Sequence, residues 1–190
     1  MAKKVPVPDL GGFTGKQMKS LLAFCRKGNA LHPLCAPFFY NGKLYASNEY
    51  ACVVMDANVR QNDVIPQDKC YSLRMSNIEK PLVKDYYYFS DGPVCCKLGG
   101  EHVPLEDKTD RLQNATKLIL ELADKTTVAQ DDSLLCDPAL IKRACEFGEA
   151  FGFWGMRFES VPYNEQTNVL RVAYTHDESN VRVIVMPKRV

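Results

Sequence analysis

Phe38-Phe39-Tyr40-Asn41-Gly42-Lys43-Leu44-Tyr45 sets two aromatic, apolar runs on either side of Asn-Gly. Both central positions of a two-residue hairpin turn need positive φ, which Asn and Gly tolerate best. The stretch therefore predicts antiparallel strands at Ala36 to Tyr40 and Lys43 to Ser47, and Ala51 to Asp56 continues the meander as a third strand. Upstream, Thr14 to Gly28 reads as an amphipathic helix. Thr14 is the N-cap, Met18, Leu21, Leu22 and Cys25 fall at i, i+3, i+4, i+7, and Gly28 or Asn29 ends it. Leu31 to Pro37 holds two prolines and reads as a connection, and Val5 to Gly12 as an extended lead-in.

The same unit returns near the other end. Asp137 caps a helix with Pro138 at its first position, and the helix runs to Phe151 before the stop at Gly152. Leu140, Ala144, Phe147, Gly148 and Phe151 share its apolar face. Strands follow at Met156 to Val161, Val169 to Tyr174 and Val181 to Met186, with a polar turn over Tyr163 to Asn168. Alternation in the last strand places Arg182 and Ile184 on one face and the valines on the other. A helix followed by a three-stranded meander, stated twice, predicts two half-units sharing a core.

The middle has no counterpart in either unit. Tyr71 to Met75, Val83 to Phe89 and Val94 to Leu98 read as strands, and Leu105 to Lys125 as a helix with Leu112, Ala115, Ile119 and Leu122 near one stripe. The segment is too apolar for a disordered linker, so the expected organisation is one domain over 1–190: a first half-unit at 13–60, an insertion at 61–133 and a second half-unit at 134–190.

At 190 residues, 46% hydrophobic and 25% charged, the chain can build a core without metal or disulfide. Its eight cysteines include no C-x-x-C pair, and Cys25, Cys52 and Cys145 fall in apolar phase, so reduced structural thiols are expected and no cofactor. There is no apolar signal segment and no run approaching a membrane span, which predicts a soluble, cytoplasmic protein without a membrane partner. The net charge of +1 is unevenly spread. Residues 1–60 carry eight basic and three acidic side chains (+5), 61–133 nine and thirteen (−4), and 134–190 seven of each. A polyanion would meet the first segment more readily than the middle.

Three pieces carry a resemblance: Phe39-Tyr40-Asn41-Gly42-Lys43-Leu44-Tyr45-Ala46-Ser47, Cys136-Asp137-Pro138-Ala139-Leu140-Ile141 and the terminal Val185-Met186-Pro187-Lys188-Arg189-Val190. Set in a twice-stated helix and meander, they resemble the bacterial sliding clamp family, the DNA polymerase III beta subunit. The resemblance implies an α+β, DNA-clamp-like fold with two helix-plus-antiparallel-strand half-domains, helices on one face, elaborated by the middle insertion. It implies a non-enzymatic processivity-factor-related protein of DNA replication, whose helix cations meet duplex DNA phosphates without reading sequence. The implied DNA-facing residues are Lys16, Lys19, Arg26 and Lys27 on the first helix and Lys142 and Arg143 on the second; each is also what an ordinary solvated helix face carries. The resemblance further implies a peptide-binding pocket for replication proteins with short linear motifs, with Val185, Met186, Pro187 and Val190 as apolar walls and Arg189 at the rim. Lys188 stands where the family has an apolar residue. A ring of six such domains would require a homo-oligomer of this chain.

Two other classes stand beside this reading. A clamp-mimicking protein-interaction module, of phage or mobile-element origin, would use the C-terminal surface and not bind DNA. An enzyme could pair Cys96 with His102, yet the sequence contains no H-E-x-x-H, G-x-S-x-G or Gly-rich phosphate loop. The run Tyr86-Tyr87-Tyr88-Phe89 could stack bases of a single strand, or be half core and half surface.

Overall fold

A computed structural model describes residues 12–28, 32–56, 69–73, 81–82, 85–90, 94–97, 101–125, 136–165, 167–174 and 181–187; for 88–90, 94–97, 101–104 and 113 it describes the backbone alone. The first unit comprises β1 (Gly12–Thr14), α1 (Gly15–Leu22), β2 (Phe38–Tyr40), β3 (Lys43–Ser47) and β4 (Ala51–Asp56). The middle supplies β5 (Tyr71–Ser72), β6 (Tyr86–Ser90), β7 (Val94–Lys97), β8 (Glu101–Pro104), β9 (Glu106–Asp107) and α2 (Thr109–Asp124). The second unit comprises α3 (Pro138–Phe151), β10 (Met156–Asn164), β11 (Thr167–Tyr174) and β12 (Arg182–Val185).

The hairpin forms as its turn chemistry requires, with Asn41 and Gly42 at φ +50° and +71°. The predicted starts of α1 and α3 are present. Thr14 and Gln17 form a reciprocal capping box, and Asp137 Oδ1 accepts from Ala139 N at 2.8 Å with Pro138 at the first position. Gly152, at φ +81°, ends α3 in the left-handed conformation.

The two meanders join through their final strands. β12 pairs antiparallel with β4, Val183 opposite Val53 and Ile184 opposite Cys52, giving an eight-stranded sheet in the order β10-β11-β12-β4-β3-β2-β5-β9. Helices α1 and α3 lie together on one face. Met18, Leu21, Leu140, Ala144 and Phe147 pack there on Leu44, Ala46, Val53, Val172, Val183 and Val185. Phe147 is fully buried, stacks on Phe151 at 4.4 Å between ring centroids and meets Phe24 edge-on at 6.0 Å. The alternation read in the last strand holds: the valines reach this core and Ile184 the other.

The second core lies on the opposite face, where α2 covers Phe38, Tyr40, Tyr45, Cys52, Val54, Val161, Val169 and Ile184 with Leu112, Leu122 and Ala123. One buried cation holds the end of this helix. Arg171 Nη1 donates to the carbonyls of Ala123 and Lys125, both at 2.7 Å, and Nε to Glu159 Oε2 at 2.7 Å. A separate four-stranded sheet, β1-β6-β7-β8, stands against α1. Just before β6 the backbone comes close to Gly15, whose N–H donates to Asp85 O at 2.7 Å and where a Cβ would sit 1.8 Å from the Leu82 carbonyl oxygen.

Several boundaries differ from the sequence reading. Helix α1 stops at Leu22, because Phe24 N and Cys25 N bond to the carbonyls three residues back and tighten the last turn, so Arg26 and Lys27 lie beyond the helix. Gly12 belongs to β1, which pairs with β6, rather than to a lead-in. The segment read as a turn at Tyr163 to Asn168 is largely ladder, since β10 runs to Asn164 and β11 starts at Thr167. Helix α2 begins at Thr109, because Glu106 and Asp107 pair with β5. Thr116, rather than Ala115, fills its buried stripe, with Oγ1 donating to Leu112 O at 2.6 Å. The predicted Met75, Val83 and Leu98 strand ends lie outside the described residues.

Candidate functional site

Because α1 and α3 are neighbours on one face of the sheet, their outward sides form one surface. Lys16 and Lys19 stand exposed on α1, whose eight residues include no acid, and Lys27 is exposed just beyond it. Arg26 is also exposed, but its Nη1 is paired with Glu49 Oε1 and lies 3.0 Å from His32 Nε2, so its charge is partly spoken for. Lys142 is exposed on α3, with Glu146 Oε1 at 3.8 Å. Arg143 is half-buried and lines a different feature. The predicted set thus divides: Lys16, Lys19 and Lys142 belong to the helix surface, Lys27 is exposed beyond α1, and Arg26 belongs to an ion pair and Arg143 to a cleft.

That cleft, about 630 Å³, opens at the end of β12. The β3–β4 turn contributes Asn48, Glu49 and Tyr50, the start of α3 gives Asp137, Leu140 and Arg143, and the adjoining ends of β10 and β11 add Tyr163, Asn164 and Thr167; Met186 and Pro187 close it. The turn is built locally. Asn48 Oδ1 accepts from Tyr50 N and Ala51 N at 3.1 and 2.9 Å, which turns the Tyr50 side chain outward, 65% exposed. Met186 N donates to Tyr50 O at 2.8 Å and ties the C-terminal segment to it. Of the residues expected to form a peptide pocket, Met186 and Pro187 line the cleft, Val185 is fully buried under α1 and α3, and Arg189 and Val190 lie outside the described residues. Sequence reasoning passed over Tyr50, although a large aromatic in a polar turn is a signal for an exposed contact.

The remaining candidates are placed as follows. Cys96 and His102 are opposite partners in the β7–β8 register, with side chains outside the description. Tyr86 and Tyr87 are buried, so these two form no exposed stacking platform. Burial pushes the Cys25 thiol well up, with Cys35 and Cys52 adding to the effect, and pushes Cys52 up to about 12. Cys35, Cys70 and Cys136 are raised for the same reason. At each of these positions burial favours the neutral thiol over the thiolate. Among the described residues, the cysteines with described side chains form no disulfide, no group of three His, Cys, Asp or Glu is placed to hold a metal, and no helix is long and apolar enough to cross a membrane.

No protein-family model and no curated protein matches the chain. Among solved structures, the DNA polymerase III beta chain of Streptococcus pneumoniae TIGR4 is similar over 100% of this chain and 67% of that one, with a TM-score of 0.47 and 9% identity.

Proposed function

We propose that this is a non-enzymatic protein that binds duplex DNA along the phosphate backbone, without sequence preference, through the surface formed by α1 and α3. The observation that carries the reading is the adjacency of the two helices on one sheet face, with Lys16 and Lys19 on a helix that lacks acidic residues. Lysine heads on flexible stems suit contacts to successive phosphates, which orient a protein on DNA without specifying a base. The excess of basic residues in the first segment favours the same partner.

The test is fluorescence anisotropy with labelled duplexes of unrelated sequence. Binding should be equal among sequences, weaken steeply with salt, and be lost in a Lys16→Glu, Lys19→Glu, Lys27→Glu variant. Glutamate at Lys16, in the first turn of α1, complements the helix dipole, whereas Lys19 is in the last turn, so circular dichroism of the variant shows whether the helix is retained. No binding at about 20 mM salt, or binding that survives the triple reversal, would overturn the reading.

A second activity is favoured by the cleft. Its apolar walls from Tyr50, Leu140, Tyr163, Met186 and Pro187, with Asp137, Arg143 and Asn164 as polar anchors, suit a short linear peptide of a partner such as a replication protein. Peptide binding that is abolished by Tyr50→Ala and Met186→Lys while DNA binding persists would support it; peptide binding indifferent to both would exclude the cleft. A protein that binds peptide and never DNA would be the clamp-mimicking interaction module instead.

A further inference from the structure

β10 is an edge strand, and among the described residues its ladder is occupied on one side only, by β11. Pro162 has no N–H to give β11, and its carbonyl accepts Lys125 Nζ at 2.9 Å. Proline within a sheet sits where its missing N–H would have faced outward. The N–H and C=O of one antiparallel residue point to the same side and alternate along the strand, so Ser160, Phe158 and Met156 also present theirs away from β11. The one register irregularity lies between Pro162 and Asn164, which leaves 156–160 regular. Natural edges are usually blunted by prolines, bulges or charge, and here the proline and the bulge sit at the hairpin end only. Further along, Phe158 is 52% exposed.

We propose that β10 pairs antiparallel with β10 of a second copy of this chain, across a two-fold axis at Phe158. That register sets Phe158 opposite Phe158, Met156 opposite Ser160, and Arg157 opposite Glu159 on both sides of the axis. It adds about six main-chain hydrogen bonds, two for each outward-facing pair. Charge selects it. Arg157 and Glu159 share the sheet face that carries α2, since their partners on β11 are Ala173 and Arg171. Sliding the pairing to the next register that keeps the hydrogen-bonding phase brings Arg157 opposite Arg157 in one direction and Glu159 opposite Glu159 in the other, and like charges directly opposite destabilise a sheet. Phe158, opposite Val172 in the ladder, lies on the α1 and α3 side, where the two copies' rings would meet across the axis. The axis runs perpendicular to the sheet, so both copies carry α1 and α3 on the same side. The contact does not depend on DNA.

Sedimentation equilibrium at up to about 100 μM tests it, a range that captures any dimer of micromolar affinity. The expected result is a mass twice the 21.4 kDa chain, reduced to a monomer by Phe158→Asp and by Arg157→Glu. A Phe158→Cys variant, oxidised and mapped by mass spectrometry, should form a 158–158 disulfide, because directly opposed hydrogen-bonded residues stand about 5.5 Å apart at Cα, within disulfide reach. A monomeric wild type, a dimer unaffected by Phe158→Asp, or failure of the 158–158 crosslink to form would overturn the proposal. The crosslink decides the matter if either charged variant does not fold.

Discussion

Replacing Arg171 with Met keeps the length and apolar stem of the side chain and removes its charge. The side chain is 9% exposed and its guanidinium has three jobs: it donates to Ala123 O and Lys125 O at the end of α2 and neutralises Glu159, whose side chain is 11% exposed. Ala123 is among the last four residues of α2, whose carbonyls have no partner within the helix. Each hydrogen bond from a charged donor contributes about 1.5–3 kcal/mol. Breaking one side of a buried pair costs about 3–5 kcal/mol, because the surviving charge is left desolvated. Arg157 Nε, 2.8 Å from Glu159 Oε1 but 75% exposed, compensates only in part. The expected loss for Arg171→Met is therefore about 3–5 kcal/mol by urea denaturation, or roughly 6–20 °C in Tm for a chain of this size. Hydrogen exchange should accelerate first in the last turn of α2. The double variant Arg171→Met, Glu159→Met should regain part of the loss, since it leaves no unpaired charge. A cost below about 1 kcal/mol for the single variant, or a double variant that costs the sum of the singles, would refute the reasoning.

Three further tests address the cores. Gly148→Ala would ordinarily favour a helix, but its Cβ would stand 2.8 Å from the Tyr174 ring, which is held by Phe147, Phe153 and the bond from its hydroxyl to Ala144 O; a loss of about 1–3 kcal/mol is expected by thermal melting, and a gain would contradict the packing. The Tyr45 hydroxyl is buried with no hydrogen-bond partner among the described residues, so Tyr45→Phe should be neutral or stabilise by about 1 kcal/mol, and a clear loss in urea melts would show that the hydroxyl is satisfied. Stability should decline in alkali. The Cys52 pKa is raised in the fold, so its contribution is intact below about 9 and is lost as pH rises from about 9 towards 12, where the unfolded chain releases a proton that the folded chain keeps. Cys52→Ala should flatten the stability profile over that window, and an unchanged slope would contradict the assignment.

The parts of the fold legible in the sequence were those set by neighbours along the chain. Asn41-Gly42, Thr14 with Gln17, Asp137-Pro138 and Gly152 each specify local backbone, and the alternation in Val181 to Val185 separates the two sheet faces. What distant contacts decide was hidden. Nothing near Gly12 announces pairing with Tyr88, and nothing near Glu106 announces a bridge to Ser72 rather than a helical turn. Phe24 and Cys25 continue the apolar stripe of α1, so periodicity carried the helix past its end and placed Arg26 and Lys27 upon it. The candidate site followed the same rule. Lys16, Lys19 and Lys142 could be chosen from helix phase alone, whereas the pairing of Arg26 with Glu49 and the turn of Arg143 into the cleft depend on the β3–β4 turn.

The most direct measurement of the central claim is the slope of log affinity against log salt for a non-specific duplex, taken on the wild type and on Lys16→Gln and Lys19→Gln variants. Each phosphate contact contributes about 0.9 to that slope. A steep wild-type slope that falls by about 0.9 with each substitution is the predicted result, and a slope that neither lysine changes would contradict it.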